Sequence, residues 1–173
     1  MIQPPQNDEY APYYGTYIGR VPPGADLFAL LAAQPDELRT LLRNIADDHA
    51  STPPKPGEWS IKEVVGHIND TERIFAYRAL CIARGDVTPL PGFEQDDYVR
   101  GTDFNRRALA DLIDEFDLQR RSNILQFRTL TDAESQRRGT ASGNPFTPRA
   151  LLYAMAGHVM HHVESLGKDY GVK

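Results

Sequence analysis

Three histidines of this chain lie in segments whose helical pattern could bring their side chains together. His158 and His162 are four residues apart near the C-terminus, and His67 lies far earlier in the sequence. Residues four apart on an α-helix lie on one face, so these two imidazoles can share one ion while a third approaches from another helix. Three neutral imidazoles leave coordination positions open, as in catalytic metal sites. The spacing therefore indicates metal-assisted chemistry on a divalent ion.

The angular positions of the histidines favour this set. With Leu151 as origin, His158 falls near −20° and His162 near +20°, at about 100° per residue. His161 falls near −80° on the same scale, at the margin of the buried stripe. His67 lies at the edge of the apolar sector of its own helix. On spacing alone, hydrogen-bonded core histidines remain an alternative to metal ligands.

Five further polar residues could orient the imidazoles or contact a substrate. They are Asp70, Glu72, Arg120, Asn123 and Glu164. Carboxylates commonly accept a hydrogen bond from a ligand imidazole, and an arginine with an amide could meet a substrate anion. The alternatives are solvated surface charges and, for Arg120, an ion pair with Glu72 inside the fold. No Glu follows the first His of the His-x-x-x-His pair, so the zinc-protease route is not expected.

Four helical segments are predicted to position these residues. Their approximate ranges are 26–45, 60–84, 103–130 and 147–170. Pro35 divides or kinks the first, Ser60 and Glu63 form a capping box for the second, and Pro148 suits the first turn of the fourth. No alternating strand pattern is present. The sequence therefore predicts an all-α fold, a four-helix bundle.

Three segments lack helical periodicity. Residues 1–25 are rich in Pro and Tyr and are predicted to be an extended arm preceding a domain of residues 26–173. The tyrosines of the arm could pack on the bundle or on a second subunit. Residues 85–102 are too long for a tight connection and are predicted to be a functional loop. Residues 131–145 are polar, with room for one short helical turn.

The composition limits the classes of partner. A length of 173 residues suits one domain, and a net charge of −5 with scattered basic residues argues against nucleic-acid binding. No apolar run could span a membrane and no signal peptide is evident, so a soluble, cytoplasmic protein is expected. Cys81 is the only cysteine, which excludes an intrachain disulfide and a thiolate cluster. Any metal must therefore use His or carboxylate ligands.

Two stretches resemble a known family. Gly57–Glu72 (GEWSIKEVVGHINDTE) closely resembles the second helix of the DinB-like, or YfiT-like, superfamily, and Ala156–His162 (AGHVMHH) resembles its terminal signature. The resemblance also takes in the loop at Pro91–Phe93 and most of residues 26–170. Only the N-terminal arm lies outside it.

This resemblance implies a four-helix bundle, commonly a homodimer, with zinc or nickel bound by three histidines that correspond to His67, His158 and His162. Some members are S-transferases that join a low-molecular-weight thiol, such as bacillithiol or mycothiol, to an electrophile. The family name implies no contact with DNA. We therefore expect a metal-dependent thiol S-transferase acting on a small molecule. A metal-dependent small-molecule hydrolase and a non-catalytic metal- or ligand-binding protein are the alternatives.

Overall fold

Four long helices form a bundle in the computed structural model, which describes residues 2–172. They are α2 (Leu27–Leu42), α4 (Ile61–Ala83), α6 (Leu109–Phe127) and α8 (Pro148–Asp169). The connections contain α1 (Gly15–Ile18), α3 (Asp47–Ala50), α5 (Gln95–Arg100), α7 (Asp132–Ser135), strands β1 (Gly139–Ala141) and β2 (Asn144–Phe146), and 3-10 turns at Pro12–Tyr14 and Phe104–Arg106. The predicted all-α four-helix bundle is confirmed. No described helix is long and apolar enough to cross a bilayer.

The order of the helices around the bundle differs from their order in the chain. Helix α4 packs against α6 and α8, and α2 packs against the same two helices. Helices α2 and α4 therefore lie across one diagonal of the bundle, and α6 and α8 lie across the other. This arrangement makes α4 and α8, which carry the three histidines, direct neighbours.

Local capping signals account for the boundaries of α4 and α8. The hydroxyl of Ser60 accepts a hydrogen bond from the Glu63 amide, and the Glu63 carboxylate accepts one from the Ser60 amide. Thr147 caps α8, whose first residue is Pro148. Helix α6 begins later than predicted because a 3-10 turn precedes it, and Pro35 lies inside one continuous α2.

A buried polar layer separates two apolar clusters of the bundle core. Arg120 is fully buried, and its Nε and Nη2 atoms each lie 2.9 Å from an oxygen of Glu72. It also donates to Gln34 Oε1 at 2.6 Å, while Asn123 donates to Glu72 at 2.8 Å. Removing one partner of such a buried ion pair typically lowers the free energy of unfolding by about 3–5 kcal/mol. The ion pair between Arg120 and Glu72 that the sequence offered as an alternative is therefore present.

A β-hairpin follows α7, although the sequence indicated no strands. Strands β1 and β2 pair in antiparallel register, and their turn places Ser142 at φ 52° and Gly143 at φ 73°. A two-residue turn with positive φ matches the twist of a hairpin, so the Ser-Gly pair was a usable signal. Leu90 bridges to Ala141 and ties the loop after α4 to this hairpin.

The N-terminal arm packs on the bundle of its own chain. Glu9 is 3% exposed, and its carboxylate accepts hydrogen bonds from Arg149 and from Thr147 Oγ1 at the start of α8. Helix α1 then lies along α8. The arm therefore contributes part of the surface around the histidines.

We predict that Glu9→Gln makes the stability of the protein less sensitive to acid. Burial raises the pKa of Glu9, but hydrogen bonds from Arg149 and Thr147 outweigh it and lower the pKa from 4.5 to about 2. Because the folded-state pKa is depressed, this contribution is fully present above about pH 4.5 and is lost as pH falls towards 2. Compared with wild type, the free energy of unfolding of the variant, measured with urea, should be lower by about 3 kcal/mol at pH 7 and by distinctly less at pH 3.

Asp8→Asn is the matched control. Asp8 is the preceding residue and pairs with Arg138, but its side chain is 71% exposed. Its substitution should cost less than about 1 kcal/mol at either pH. If the stability of wild type and of Glu9→Gln depended equally on pH, the ionised Glu9 carboxylate would not be the source of the acid sensitivity.

Candidate metal centre

Two glycines let the histidine-bearing helices come close to their neighbours. Gly66 precedes His67 on α4, and a Cβ there would lie 2.4 Å from the Phe104 ring. Gly157 precedes His158 on α8, and a Cβ there would lie 1.9 Å from the carbonyl oxygen of Tyr17. Since real Cβ atoms do not approach so closely, a larger residue at either position would displace the packing beside a histidine.

The three imidazoles meet at one point between α4 and α8. His158 Nε2 lies 3.0 Å from Nε2 of His67 and 3.0 Å from Nε2 of His162. One ligand atom from each residue lies within 4.8 Å of the others. The convergence that the helical angles of the sequence predicted is therefore present.

This donor set fits a single divalent ion. Tetrahedral ligands at about 2.0–2.1 Å from a zinc ion lie roughly 3.3 Å apart, close to the observed separations. An imidazole nitrogen has either one proton or one lone pair, so His158 Nε2 cannot form two separate linear hydrogen bonds with its two neighbours. One shared cation would satisfy all three nitrogens at once.

The electrostatic environment keeps these imidazoles neutral. Burial, with a smaller repulsion from His161, lowers the pKa of His67 from 6.5 to about 4. Burial also lowers the pKa of His158 and of His162 well below the ordinary value, and the neighbouring histidines add to the shift. Neutral imidazoles present the lone pairs that metal ligation requires.

The remaining histidines lie outside this cluster. His161 is partly exposed, and its Nδ1 lies 3.3 Å from Nη2 of Arg20 on the arm. His49 is exposed on α3. The placement of His161 agrees with its position at the margin of the buried stripe, as inferred from the sequence.

A cleft of about 260 Å³ opens onto His67 and His158. Its other lining residues come from the arm, from α4, from the loop before α5 and from the start of α5. They are Tyr13, Tyr14, Tyr17, Thr71, Phe75, Phe93, Glu94, Gln95 and Asp96. A second cavity of about 320 Å³ reaches His162 and shares Gln95 and Asp96 with the first. The loop of residues 85–102 thus contributes to the surroundings of the histidines.

Tyr17 and Thr71 are among the cleft side chains that the sequence analysis did not single out. The ring of Tyr17 lies 5.2 Å from the His158 ring, centroid to centroid, and its hydroxyl lies 3.0 Å from that of Tyr13. Burial raises the pKa of Tyr17, so its hydroxyl stays protonated. Thr71 Oγ1 is buried and has no hydrogen-bond partner among the described residues. Its position one turn after His67 was the signal that could have found it.

The five polar residues that the sequence suggested beside the histidines lie in different environments. Glu72, Arg120 and Asn123 belong to the buried polar layer, whereas Glu164 is exposed and pairs with Arg20. Asp70 is half-buried, and burial raises its pKa. Within the described residues, no hydrogen bond joins any of the five to the three clustered imidazoles. A role for them in orienting the imidazoles stays a prediction.

The chain is a four-helix bundle in which three imidazoles from two neighbouring helices converge beside a cleft. These features define a class of helical proteins that can hold a metal ion between two helices. The family model of the DinB superfamily matches residues 30–166. The chain therefore belongs to the DinB superfamily, as its motifs predicted.

A solved structure has the same fold. YfiT from Bacillus subtilis, described as a probable metal-dependent hydrolase with an unusual four-helix bundle topology, superposes with a TM-score of 0.76. The match has 17% sequence identity and covers 92% of this chain and 99% of that chain. Similarity at this identity establishes the fold alone. No curated protein matches the chain.

We predict that Gly157→Ala detaches the arm from α8. The added methyl would overlap the Tyr17 carbonyl, so we expect the free energy of unfolding to fall by about 2 kcal/mol or more. We also expect trypsin to cleave faster after Arg20. Gly167→Ala on the same helix is the control, because its Cβ would meet only the Val172 carbonyl oxygen at an ordinary 3.7 Å. That substitution should raise stability by roughly 0.5–1 kcal/mol. Stabilisation by both substitutions would show that the arm does not pack on Gly157.

Proposed function

We propose that His67, His158 and His162 bind one divalent metal ion, zinc or nickel, and that the protein is a metal-dependent enzyme acting on a small molecule. The convergence of three buried Nε2 atoms on one point carries this proposal. On the sequence resemblance alone, we also propose that the protein forms a homodimer.

When held by His67, His158 and His162, a divalent ion would supply a positive charge that lowers the pKa of a thiol or of water at the position beside it. The protein contributes orientation and proton acceptors around that position. The protonated hydroxyl of Tyr17 and the unpartnered hydroxyl of Thr71 can donate to a substrate oxygen in the cleft. The carboxylate oxygens of Glu94 and Asp96 can accept the proton that the nucleophile loses.

We propose thiol transfer as the reaction. A low-molecular-weight thiol loses its proton to a carboxylate of the cleft, its sulfur forms a bond to an electrophilic carbon, and the leaving group departs with the bonding electrons. The electrophile docks against the segment from Phe93 to Asp96. Support comes from the resemblance to a family that includes thiol S-transferases and from the opening of the histidine cluster onto a cleft of small-molecule size.

Hydrolysis of a small molecule is the second candidate. YfiT is described as a probable metal-dependent hydrolase, and the carboxylates at Glu94 and Asp96 are general bases of the kind that hydrolysis needs. A non-catalytic protein that binds a metal or a ligand is the third, and turnover measurements separate it from the other two.

The ligand set predicts which histidines are needed for metal. Purified wild type should contain about one zinc or nickel ion per chain by mass spectrometry of the metals, and His67→Ala and His162→Ala should lose it, since two imidazoles rarely hold such an ion. His161→Ala is the matched control, because His161 adjoins His162 in sequence but is not in the cluster. Full metal content in both ligand variants would exclude the proposed site.

The reaction is tested by comparing metal-loaded with chelator-treated protein. We expect the loaded protein to consume bacillithiol or mycothiol with a chromogenic aryl halide at least about 100-fold faster than the treated protein, because a bound cation contributes several kcal/mol. Turnover of 4-nitrophenyl acetate without any thiol would favour the hydrolase. Rates in both assays that do not exceed those measured without protein would favour the non-catalytic protein.

A further inference from the structure

A second arginine of the core differs from Arg120 in having no counter-charge. Arg78 on α4 is 2% exposed, and no carboxylate of the described residues lies within ion-pair distance of it. Its Nη2 donates to the carbonyl oxygen of Pro91 at 2.7 Å and to Ser142 Oγ at 3.0 Å. Its Nη1 is buried with no hydrogen-bond partner in the described part of the chain.

A buried guanidinium without a counter-charge lowers the stability of the protein when no ligand is bound. Withdrawing a charge from water costs several kcal/mol unless an opposite charge compensates it. The Glu72 carboxylate performs this task for Arg120. The groups that face Arg78 are the Pro91 carbonyl, the Ser142 and Tyr14 hydroxyls and the Phe93 ring, and none of them carries a negative charge. The missing partner is an anion, and the donor pattern of a guanidinium matches a planar carboxylate.

A pocket of about 260 Å³ lies beside Arg78. Its walls are largely apolar and include Ile74, Tyr77, Leu90, Phe93 and Tyr98. The guanidinium carbon lies 5.8 Å from the centre of the Phe93 ring, and the Phe93 and Tyr98 rings are 5.4 Å apart edge to face. One buried cation among aromatic and aliphatic walls is suited to a small acid with a hydrophobic body.

We infer that this pocket binds the carboxylate of a small hydrophobic organic acid, with the carboxylate on Arg78. Phe93 lines both this pocket and the cleft at His67. Arg78 follows His67 by eleven residues, which places it within about 20° on the same face of α4 and about 16 Å along the axis. If the proposed enzyme is correct, the pocket holds the carboxylate end of the substrate; the binding of the acid itself does not depend on that proposal.

Isothermal titration calorimetry tests the pocket directly. Benzoate, phenylacetate and 4-methylpentanoate are the acids, and phenylacetamide is the neutral isostere of the second. At least one acid should bind, and phenylacetamide should bind at least about tenfold more weakly than phenylacetate or not at all, since charge-assisted hydrogen bonds are lost. No saturable binding of any of the three acids, or equal binding of the amide, would overturn the inference.

Substitutions locate the site. Arg78→Gln should weaken binding of the acid at least about tenfold, and Arg78→Lys, which keeps the charge, should retain part of it. Arg73→Gln is the matched control, because Arg73 lines the same pocket but is 52% exposed and pairs with Glu115. Unchanged affinity in Arg78→Gln would overturn the inference. If Arg78→Gln does not fold, the comparison of acid with amide on wild type decides.

Repeating the titration with chelator-treated wild type and with His162→Ala separates this inference from the proposed function. Binding of the acid in both samples supports an anion pocket that stands without the metal. Loss of binding in both would show that the acid binds at the histidine cluster instead. A protein that holds metal but binds no acid would retain the proposed function and lose this inference.

Discussion

The meeting of three desolvated imidazoles at the interface of α4 and α8 is the constraint on which the rest of the structure depends. The approach of these imidazole nitrogens to 3.0 Å is favoured by neutral rings, which do not repel one another as charges, and it requires closely packed helices. Burial provides the first condition by lowering the pKa of each ring. The packing of α4 against α8 provides the second. Gly66 and Gly157 add to the site in another way, because they admit Phe104 and Tyr17 beside the histidines, and larger residues there would displace these two neighbours.

The arm completes the site although it lies outside the part of the chain that matches the family. The match begins at residue 30, whereas Tyr13, Tyr14 and Tyr17 form one wall of the cleft. Glu9 fixes the arm to the start of α8, and Gly157 allows Tyr17 to lie against that helix. The part of the chain that matches the family model therefore carries the three histidines, while the arm that precedes it shapes the space in front of them.

The sequence predicted what local chemistry determines and missed what depends on long-range packing. The ends of α4 and α8 followed from Ser60, Glu63 and Pro148, and helical angles selected the three clustered histidines. The lining of the cleft could not be predicted in this way, because it depends on where the arm and the 85–102 loop lie across the bundle. The hairpin was missed because its strands are three residues long, too short for an alternating pattern.

The polar groups of α4 divide into two faces with different chemistry. Glu72 lies about 140° from His67 around the helix and is fully compensated by Arg120 and its neighbours. Thr71 and Arg78 lie within about 40° of His67, and each leaves a buried polar atom without a partner among the described residues. If stability were the only requirement, the polar groups on both faces would have hydrogen-bond partners, since an unpaired buried donor lowers stability by about 1–3 kcal/mol. Thr71 lines the cleft at His67 and Arg78 lines the pocket at Phe93, so groups that enter these two cavities can supply the partners that both side chains lack.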